Sequence, residues 1–320
     1  MKAVVYRQYG PPSVLHVEDV EKPLPKDNEL LIKVHATSVT AGDWHMRSAD
    51  PFPVRFVSGL FGPKHPILGT EFSGVVEAIG KEVGNFKVGD EVFGPTHNYV
   101  GAYAEYLCQP ANGPVTLKPS NLSHQQAAVL PVGGLTALFF LREKAKLQAG
   151  QRILIVGASG SVGTYVVQLA KHLGAHVTGV CSSGNVELVQ SLGADEVVDY
   201  TKTDFKRSGE VYDVVFDAVG HSVCFPECEP LVKSGGCYVT VAMNGPVAFQ
   251  MVKSSLFGNK RVLGGLTTDK IEDLELLKKL AKEGAIKPVV SKTYSLEEIP
   301  EAHKLVQAGH KVGNVSVLLG

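Results

Sequence analysis

The chain has 320 residues, 44% of them hydrophobic, and its 31 basic and 32 acidic residues give a formal net charge of −1. This length and composition are typical of a two-domain globular protein and exclude a disordered or fibrous chain. The near-zero charge argues against nucleic acid as a partner. Because no apolar stretch reaches the roughly 18 residues that a membrane span needs, we also predict no membrane partner.

The N-terminal sequence and the cysteines indicate a reducing compartment. The chain begins directly in an alternating strand pattern, without a recognisable secretory signal. Its five cysteines are an odd number and are scattered, apart from Cys224 and Cys228, which does not favour a disulfide framework. We therefore predict a cytoplasmic protein and assign the cysteines no chemical role.

Two rhythms of predicted elements divide the chain. Residues 1–122 show short alternating runs broken by glycine and proline, which predict an irregular β domain. Ser123 is expected to cap a helix, followed by an apolar run from Ala127 to Leu141. Strands and helices then alternate to residue 287, which predicts a doubly wound parallel sheet. The strands are predicted at 152–156, 176–181, 196–200, 211–218, 236–242 and 261–266, and the helices at 162–173, 186–192, 223–232 and 271–283.

Residues 288–320 return to short strands, at 289–294 and 315–319, around a helix at 299–307. We expect this segment to rejoin the first domain.

A glycine-rich turn follows the first strand of the alternating region. Gly157, Gly160 and Gly163 recur at a spacing of three residues between a predicted strand and a predicted helix, which is the context of a dinucleotide-binding loop. Gly157 is expected to make the tight turn, Gly160 to let the backbone approach a pyrophosphate, and Gly163 to allow close packing of helix on strand. The helix N-terminus would add a positive partial charge. The predicted contact segment is Gly157, Ala158, Ser159, Gly160, Ser161, Val162 and Gly163.

The end of the next strand bears on the choice between NAD and NADP. An acidic residue there would bind the ribose hydroxyls, but this sequence has Ser182, Ser183 and Asn185, with no carboxylate, Arg or Lys. These side chains can donate hydrogen bonds to a 2′-phosphate, and they can equally cap the following helix. We predict NADPH as cofactor, with NADH less favoured.

Several ordered motifs along the whole chain resemble the medium-chain dehydrogenase/reductase superfamily, specifically its zinc-free quinone oxidoreductase branch. The motifs lie at residues 1–4, 69–76, 88–94, 101–106, 134–137, 157–163 and 192–195. The resemblance implies an α/β fold, with a Rossmann domain over 123–287 and a GroES-like catalytic domain formed by 1–122 and 288–320. It also implies an active-site cleft where the domains meet, and a homodimer in which the last Rossmann strand pairs with its partner's copy.

Zinc alcohol dehydrogenases of the same superfamily hold their catalytic metal with a Cys, a His and a second Cys or Asp. By motif these positions fall at Thr40, Thr70 and Val132, which supply two hydroxyls and an isopropyl group. Catalytic zinc needs about three N, S or carboxylate ligands. We therefore predict no metal, and interpret Glu71 as a relic or structural residue.

The resemblance also implies which side chains lie near the cofactor. Thr40, Asp43, Trp44, Thr70 and Thr136 are expected at the nicotinamide end, with Ala242 and Met243 beyond the fifth Rossmann strand. Thr40 replaces an Asn common in quinone reductases and is a candidate donor to a substrate oxygen. Tyr200 resembles the tyrosine that flanks the 2′-phosphate in NADPH-specific relatives, although Asn185 replaces the accompanying lysine. Val219 and Gly220 are expected near the ribose, and Gly313 and Asn314 resemble a C-terminal cofactor contact.

Without zinc, a carbonyl must be polarised by hydrogen bonds, which favours conjugated carbonyl and quinone acceptors over simple alcohols. We predict zinc-independent hydride transfer from NADPH to a quinone or α,β-unsaturated carbonyl. One alternative is an alkenal, enoyl or carbonyl reductase of the same superfamily, for which the aromatic segment between Ser48 and His65 would form a wide apolar entrance or simply pack on the domain. A second alternative is a cofactor-binding structural or sensor protein with little catalysis.

Overall fold

A computed structural model describes residues 1–220 and 224–319. Its strands are β1 (Lys2–Val5), β2 (His16–Asp19), β3 (Glu29–Ser38), β4 (Glu71–Ile79), β5 (Glu91–Pro95), β6 (Tyr106–Pro110), β7 (Thr116–Leu117), β8 (Arg152–Val156), β9 (His176–Cys181), β10 (Glu196–Asp199), β11 (Tyr212–Asp217), β12 (Val232–Thr240), β13 (Arg261–Leu263), β14 (Val290–Ser295) and β15 (Asn314–Leu318). Its α-helices are α1 (Ala41–Ser48), α2 (Arg55–Ser58), α3 (His124–Ala128), α4 (Pro131–Phe139), α5 (Ser161–His172), α6 (Val186–Ser191), α7 (Phe225–Cys228), α8 (Gly245–Phe257), α9 (Ile271–Lys282) and α10 (Ile299–Gln307).

The chain forms two compact units. The first comprises Met1–Val132, Asp269–Glu283 and Pro288–Gly320, and the second comprises Gly133–Thr268 and Gly284–Lys287. Among residues 1–220 and 224–319, no helix combines the length and the apolar character that a membrane span requires.

The first unit is built on a mainly antiparallel sheet. Its strand order is β14-β15-β3-β4-β5-β7, with β6 also paired to β3, and β14 runs parallel to β15. In β3 the side chains of Ile32 and Val34 are buried while Lys33 is exposed, as expected for a sheet with one face on the core. The core beneath it includes Leu68 and Phe72, which flank the turn before β4. This packing fixes the segment that carries Thr70 and Glu71.

The second unit is a parallel sheet of the Rossmann type. Its order is β10-β9-β8-β11-β12-β13, and every pairing is parallel. The first strand along the chain, β8, lies in the middle, so the order reverses between β8 and β11. In such sheets ligands bind beyond the carboxyl ends of the strands at this reversal. The predicted α/β fold class is confirmed.

Two predicted helices need correction, and one helix was not predicted. The apolar run 127–141 is not one helix: α3 ends at Ala128 and α4 begins at Pro131, because proline has no N–H to continue a helical ladder. The helix predicted at 223–232 is shortened to α7 and a 3₁₀ turn, since β12 already begins at Val232, and Val223 lies outside the described residues. Helix α8 was not predicted. Asn244 caps it by accepting a hydrogen bond from the Val247 N–H at 2.9 Å.

Candidate functional site

A cluster of polar side chains surrounds the start of α1 in the first unit. Thr40 and Asp43 form a reciprocal cap: Asp43 Oδ2 accepts from the Thr40 N–H at 2.8 Å and from Thr40 Oγ1 at 2.7 Å, and the Asp43 N–H donates to Thr40 Oγ1 at 3.3 Å. Thr70 approaches from the turn before β4. Its Oγ1 donates to Asp43 Oδ2 at 3.2 Å and lies 3.1 Å from Thr40 Oγ1. Three of the predicted site residues are therefore brought together.

Asp43 is the buried centre of this cluster. Its second oxygen, Oδ1, accepts from the Gly69 N–H at 3.1 Å, so both carboxyl oxygens have donors. Burial raises the pKa of Asp43 to about 6, although the hydrogen bonds from Thr40, Gly69 and Thr70 each lower it. The carboxyl group therefore exchanges its proton near physiological pH.

A second buried carboxyl group, Glu71, adjoins Thr70. It accepts hydrogen bonds from the Ser38 hydroxyl and, at 2.7 Å, from the Val132 N–H, so it ties β3 and the start of α4 to β4. Burial raises the pKa of Glu71 to about 8. These contacts support the structural interpretation of Glu71.

Lys311 is a neighbouring group that the sequence analysis missed. Burial lowers the pKa of its ammonium to about 8, opposed by the charges of Glu71 and Asp43. Its Nζ donates to the Gly313 carbonyl at 3.4 Å. It precedes the predicted contact Gly313-Asn314, but no motif marks it as a partner of the two carboxyl groups.

Trp44 follows Asp43 on α1 and is half-buried against the core of the first unit. Its ring contacts that of His45, with centroids 3.7 Å apart and the ring planes tilted by 31°. The aromatic segment after this helix is largely solvent-exposed: Phe56 is 68% exposed and Phe61 96%. It therefore presents an apolar surface on the first unit.

The glycine-rich turn of the second unit joins β8 to α5. Gly157 has φ +79°, a left-handed conformation that favours glycine, and a Cβ there would lie 2.6 Å from Val219 Cγ2. A Cβ on Gly163 would lie 2.0 Å from the Gly157 carbonyl oxygen, so α5 packs on the turn only with glycine at this position. Gly160 is the N-cap of the helix and, as a glycine, has no side chain to cap it. Ala158 is buried, whereas Ser161 and Val162 are partly exposed. The residues present fit a dinucleotide pyrophosphate.

Asp217 holds the neighbouring turn in place at the end of β11. Its Oδ1 accepts from the N–H groups of Val219 and Gly220, both at 2.9 Å, and its Oδ2 accepts from Tyr238 Oη at 2.9 Å and Thr240 Oγ1 at 3.1 Å. Thr240 Oγ1 also accepts from the Ala242 N–H at 3.1 Å, so this network extends to Ala242 and the partly exposed Met243. The ends of β11 and β12 are thereby fixed together.

The end of β9 differs from the sequence-based expectation. Asn185 Nδ2 donates to Ser159 Oγ at 3.2 Å and to Ser182 Oγ at 3.1 Å. Ser183 Oγ donates to Asp199 Oδ2 at 2.5 Å, and Lys202 Nζ lies 3.2 Å from the same oxygen. The expectation of a site without carboxylate or lysine is wrong, because β10 pairs in register with β9 and places Asp199 opposite Cys181. Tyr200, directly after Asp199, is half exposed.

The remaining predicted residues lie apart from these groups along the chain. Thr136 is half-buried on α4, in the second unit. Gly313 and Asn314 belong to the first unit, where Asn314 Nδ2 donates to the Val289 carbonyl at 3.2 Å and helps to join β15 to β14. Their roles at the cofactor stay predictions.

The positions that correspond to zinc ligands do not fit a metal ion. Thr40 and Thr70 are hydrogen-bonded to Asp43, and the Val132 side chain has no donor atom. No group of three His, Cys, Asp or Glu side chains among the described residues is arranged to hold a metal. We derive no step through zinc.

Comparisons with known proteins agree with this architecture. The family model "Alcohol dehydrogenase GroES-like domain" matches residues 26–120, and "Zinc-binding dehydrogenase" matches residues 192–317. A chloroplast envelope quinone oxidoreductase homolog from Arabidopsis thaliana is 36% identical over 99% of this chain and 98% of that protein. An NADPH-dependent alkenal/one oxidoreductase of the same plant is 32% identical over 99% of this chain and 79% of its own length. The solved structure of the quinone oxidoreductase from Coxiella burnetii has a TM-score of 0.90 and 33% identity, over 100% of this chain and 99% of that one.

The parallel sheet, the glycine turn and the GroES-like match define a nicotinamide-dependent oxidoreductase. The chain belongs to the medium-chain dehydrogenase/reductase superfamily, in its zinc-free quinone oxidoreductase branch. The description of the second family model mentions zinc, but the residues that it matches, 192–317, do not include Thr40, Thr70 or Val132, which are predicted by motif to correspond to zinc ligands.

Proposed function

We propose that this protein reduces a quinone or an α,β-unsaturated carbonyl with NADPH. The observation that carries the proposal is the hydroxyl cluster of Thr40 and Thr70, hydrogen-bonded to Asp43. By motif, we predict that these two positions correspond to metal ligands of zinc-dependent relatives. Hydroxyl groups polarise a carbonyl more weakly than zinc does, so they suit acceptors whose developing charge is spread by conjugation. The reduced nicotinamide, when bound, supplies the hydride.

The chain's own residues then have two tasks. In the second unit the turn from Gly157 to Gly163 binds the pyrophosphate, and Asp217 orders the adjoining backbone. In the first unit Thr40 and Thr70 face the substrate oxygen, with Trp44 as an aromatic wall. The relatives named as quinone and alkenal/one oxidoreductases support this class of substrate.

We propose that the protein prefers NADPH over NADH, although charged groups near the end of β9 act in both directions. Ser182 and Tyr200 offer donors to a 2′-phosphate, whereas the Ser183 hydroxyl already donates to Asp199. Lys202 adds a positive charge beside Asp199. The Asp199 carboxylate opposes it, since it would repel a phosphate and accept from ribose hydroxyls. The alkenal/one oxidoreductase relative, which is named as NADPH-dependent, favours NADPH.

An alkenal, enoyl or carbonyl substrate is the second candidate. It is favoured by the exposed apolar segment that contains Phe56 and Phe61, because long acyl or terpenoid chains need such a surface. The same experiment distinguishes the two candidates.

The test measures nicotinamide oxidation by the purified full chain, with NADPH and NADH in parallel, against quinones, alkenals and enones. We expect turnover that prefers NADPH. A Thr40→Val, Thr70→Val double variant should retain cofactor binding and lose most turnover. The conservative variant Thr40→Ser should retain turnover. Cofactor binding without turnover on any acceptor would refute the proposal and favour a sensor or structural role.

We also propose a homodimer formed through β13. This strand is the last in the sheet order, and the neighbouring helix α8 carries Phe249, Val252, Leu256 and Phe257, which are between 61% and 86% exposed. Such a patch beside a sheet edge suits a second copy of the chain. In size-exclusion chromatography with light scattering, Leu256→Asp should yield monomers, and Leu24→Asp, at another exposed apolar position, should not. A monomeric native chain would contradict the proposal. Cytoplasmic location stays a prediction.

A further inference from the structure

The hydroxyl protons of the candidate site are directed inward, toward Asp43. Thr40 Oγ1 donates to Asp43 Oδ2 at 2.7 Å, and Thr70 Oγ1 lies 3.2 Å from the same oxygen. Thr70 Oγ1 also lies 3.1 Å from Thr40 Oγ1, its one alternative acceptor in this cluster. Because a threonine hydroxyl carries a single proton, ionised Asp43 leaves Thr40 without a proton to donate outward.

This geometry conflicts with a simple hydroxyl donor for the substrate oxygen. Because a hydrogen bond to a charged group is stronger than one between neutral groups, turning Thr40 toward a substrate would sacrifice much of what the new bond gains. With a proton on Oδ2 the direction reverses. The carboxylic acid then donates to Thr40 Oγ1, and the Thr40 proton is available to a substrate oxygen.

We propose that Asp43 in its protonated form is the proton reservoir for the reduction, and that Thr40 passes the proton to the substrate. This rests on the proposed function. As negative charge develops on the substrate oxygen, that oxygen takes the Thr40 Oγ1 proton while Oγ1 takes the proton from Asp43 Oδ2. The products are a neutral enol or hydroquinone, an unchanged threonine and an Asp43 carboxylate, which then regains a proton from water.

The surroundings of Asp43 suit a group that must hold a proton and release it. Asp43 is fully buried, and its pKa is raised to about 6 by that burial. The ionisable groups around it are Tyr6, Tyr103, Glu71 and Lys311, together with Arg47 one helical turn along α1. Burial, and after it the charge of Asp43, raises the pKa of Tyr103, so this phenol stays neutral.

Glu71 is less suited to the role, although it also binds a proton near neutrality. Its partners are the Ser38 hydroxyl and the Val132 backbone N–H, and neither is a candidate substrate contact. Asp43 alone of the two carboxyl groups is hydrogen-bonded to Thr40 and Thr70. Asp43 is therefore a positioning residue that acts through Thr40.

The first test is the pH dependence of kcat/KM for a quinone or enone with the wild-type chain. We expect a fall of about tenfold for each pH unit above the Asp43 pKa, and a solvent deuterium isotope effect on kcat. Asp43→Asn mimics the neutral acid as a hydrogen-bond donor but holds no transferable proton. It should be slower than wild type at pH 5 and nearly flat from pH 5 to 8. Thr40→Val, which has no hydroxyl proton to pass on, should lose most of the rate together with its pH dependence, and it provides the test if Asp43→Asn does not fold. Thr40→Ser should restore the pH dependence.

A second readout needs no turnover. Infrared difference spectroscopy across pH 4 to 8 follows the carbonyl stretch of protonated carboxyl groups. The bands of Asp43 and Glu71 are assigned by their loss in Asp43→Asn and in Glu71→Gln. An Asp43 that is already ionised at pH 5 overturns the proposal, whatever the substrate. A protonated Asp43 with a flat wild-type rate profile and no isotope effect also overturns it. Absence of turnover on every acceptor would instead refute the proposed function.

Discussion

Replacing Glu71 by Gln should stabilise the protein at neutral pH, because the native carboxyl group is buried at a cost. Burial raises its pKa from 4.5 to about 8. Between these values the unfolded chain loses the proton and the folded chain keeps it, so stability falls as pH rises. One pKa unit corresponds to about 1.4 kcal/mol, which gives about 3 kcal/mol between pH 4.5 and pH 7.

Glutamine removes this penalty and keeps the important contact. Its carbonyl oxygen can still accept from the Val132 N–H, which lies 2.7 Å from Glu71 Oε2. Lys311 loses little, because Glu71 already carries its proton in the folded protein at pH 7. Glu71→Gln should therefore match wild type near pH 4.5 and exceed it by about 3 kcal/mol at pH 7.

Urea unfolding at a series of pH values measures the difference. Glu82→Gln, at an exposed position, serves as the control and should leave the pH dependence unchanged. A difference between Glu71→Gln and wild type that stays constant with pH would refute the reasoning. Destabilisation that grows with pH would mean that Glu71 is ionised in the folded protein and stabilised by Lys311.

Three further predictions concern the cofactor and metals. Gly163→Ala should destabilise the second unit by about 1–3 kcal/mol and weaken NADPH binding measured by fluorescence titration, whereas Gly84→Ala, which has open space, should change neither; unchanged NADPH affinity in Gly163→Ala would refute the assigned packing. Asp199→Asn should raise the ratio of NADPH to NADH efficiency several-fold and Lys202→Ala should lower it, since the two charges oppose each other beside Ser183; equal ratios in both variants would place the 2′-phosphate elsewhere. EDTA should leave turnover unchanged while it inactivates a zinc alcohol dehydrogenase in parallel, and loss of activity that zinc restores would contradict the metal-free site.

Sequence patterns predicted some strands of the second unit to the residue and missed one of its helices. The bounds of β8 and β9 were obtained to the residue, because strands buried on both faces read as continuous apolar runs between turn residues. Helix α8 was missed because its Asn244-Gly245-Pro246 start resembles a loop and its apolar residues are exposed rather than facing the core. Local periodicity carries no signal for such a surface.

The missed site residues share a physical cause, which is contact between chain segments that are distant in sequence. Asp199 reaches Ser183 only through the pairing of β10 with β9, and Lys311 approaches Glu71 and Asp43 across more than two hundred residues. The residues Thr40, Asp43 and Thr70 were named correctly as a group by resemblance. Which of these groups donates depends on whether Asp43 is protonated, and that depends on its burial. Burial results from tertiary packing and cannot be read from the local sequence.

Burial of the two carboxyl groups has separable consequences for stability and for catalysis. Both side chains have raised pKa values because water is excluded from them, so each lowers stability as pH rises toward neutrality. Among the described residues, the Glu71 carboxyl accepts hydrogen bonds from the Val132 N–H and from Ser38, whereas Asp43 accepts from the hydroxyls of Thr40 and Thr70. Neutralising Glu71 should therefore gain stability without changing the pH profile of turnover. Replacing Asp43 by a neutral residue should remove the same cost of burying a carboxyl group, but it also removes the proton that the reduction needs. The proposed proton transfer therefore explains why the protein keeps a destabilising carboxyl group at position 43.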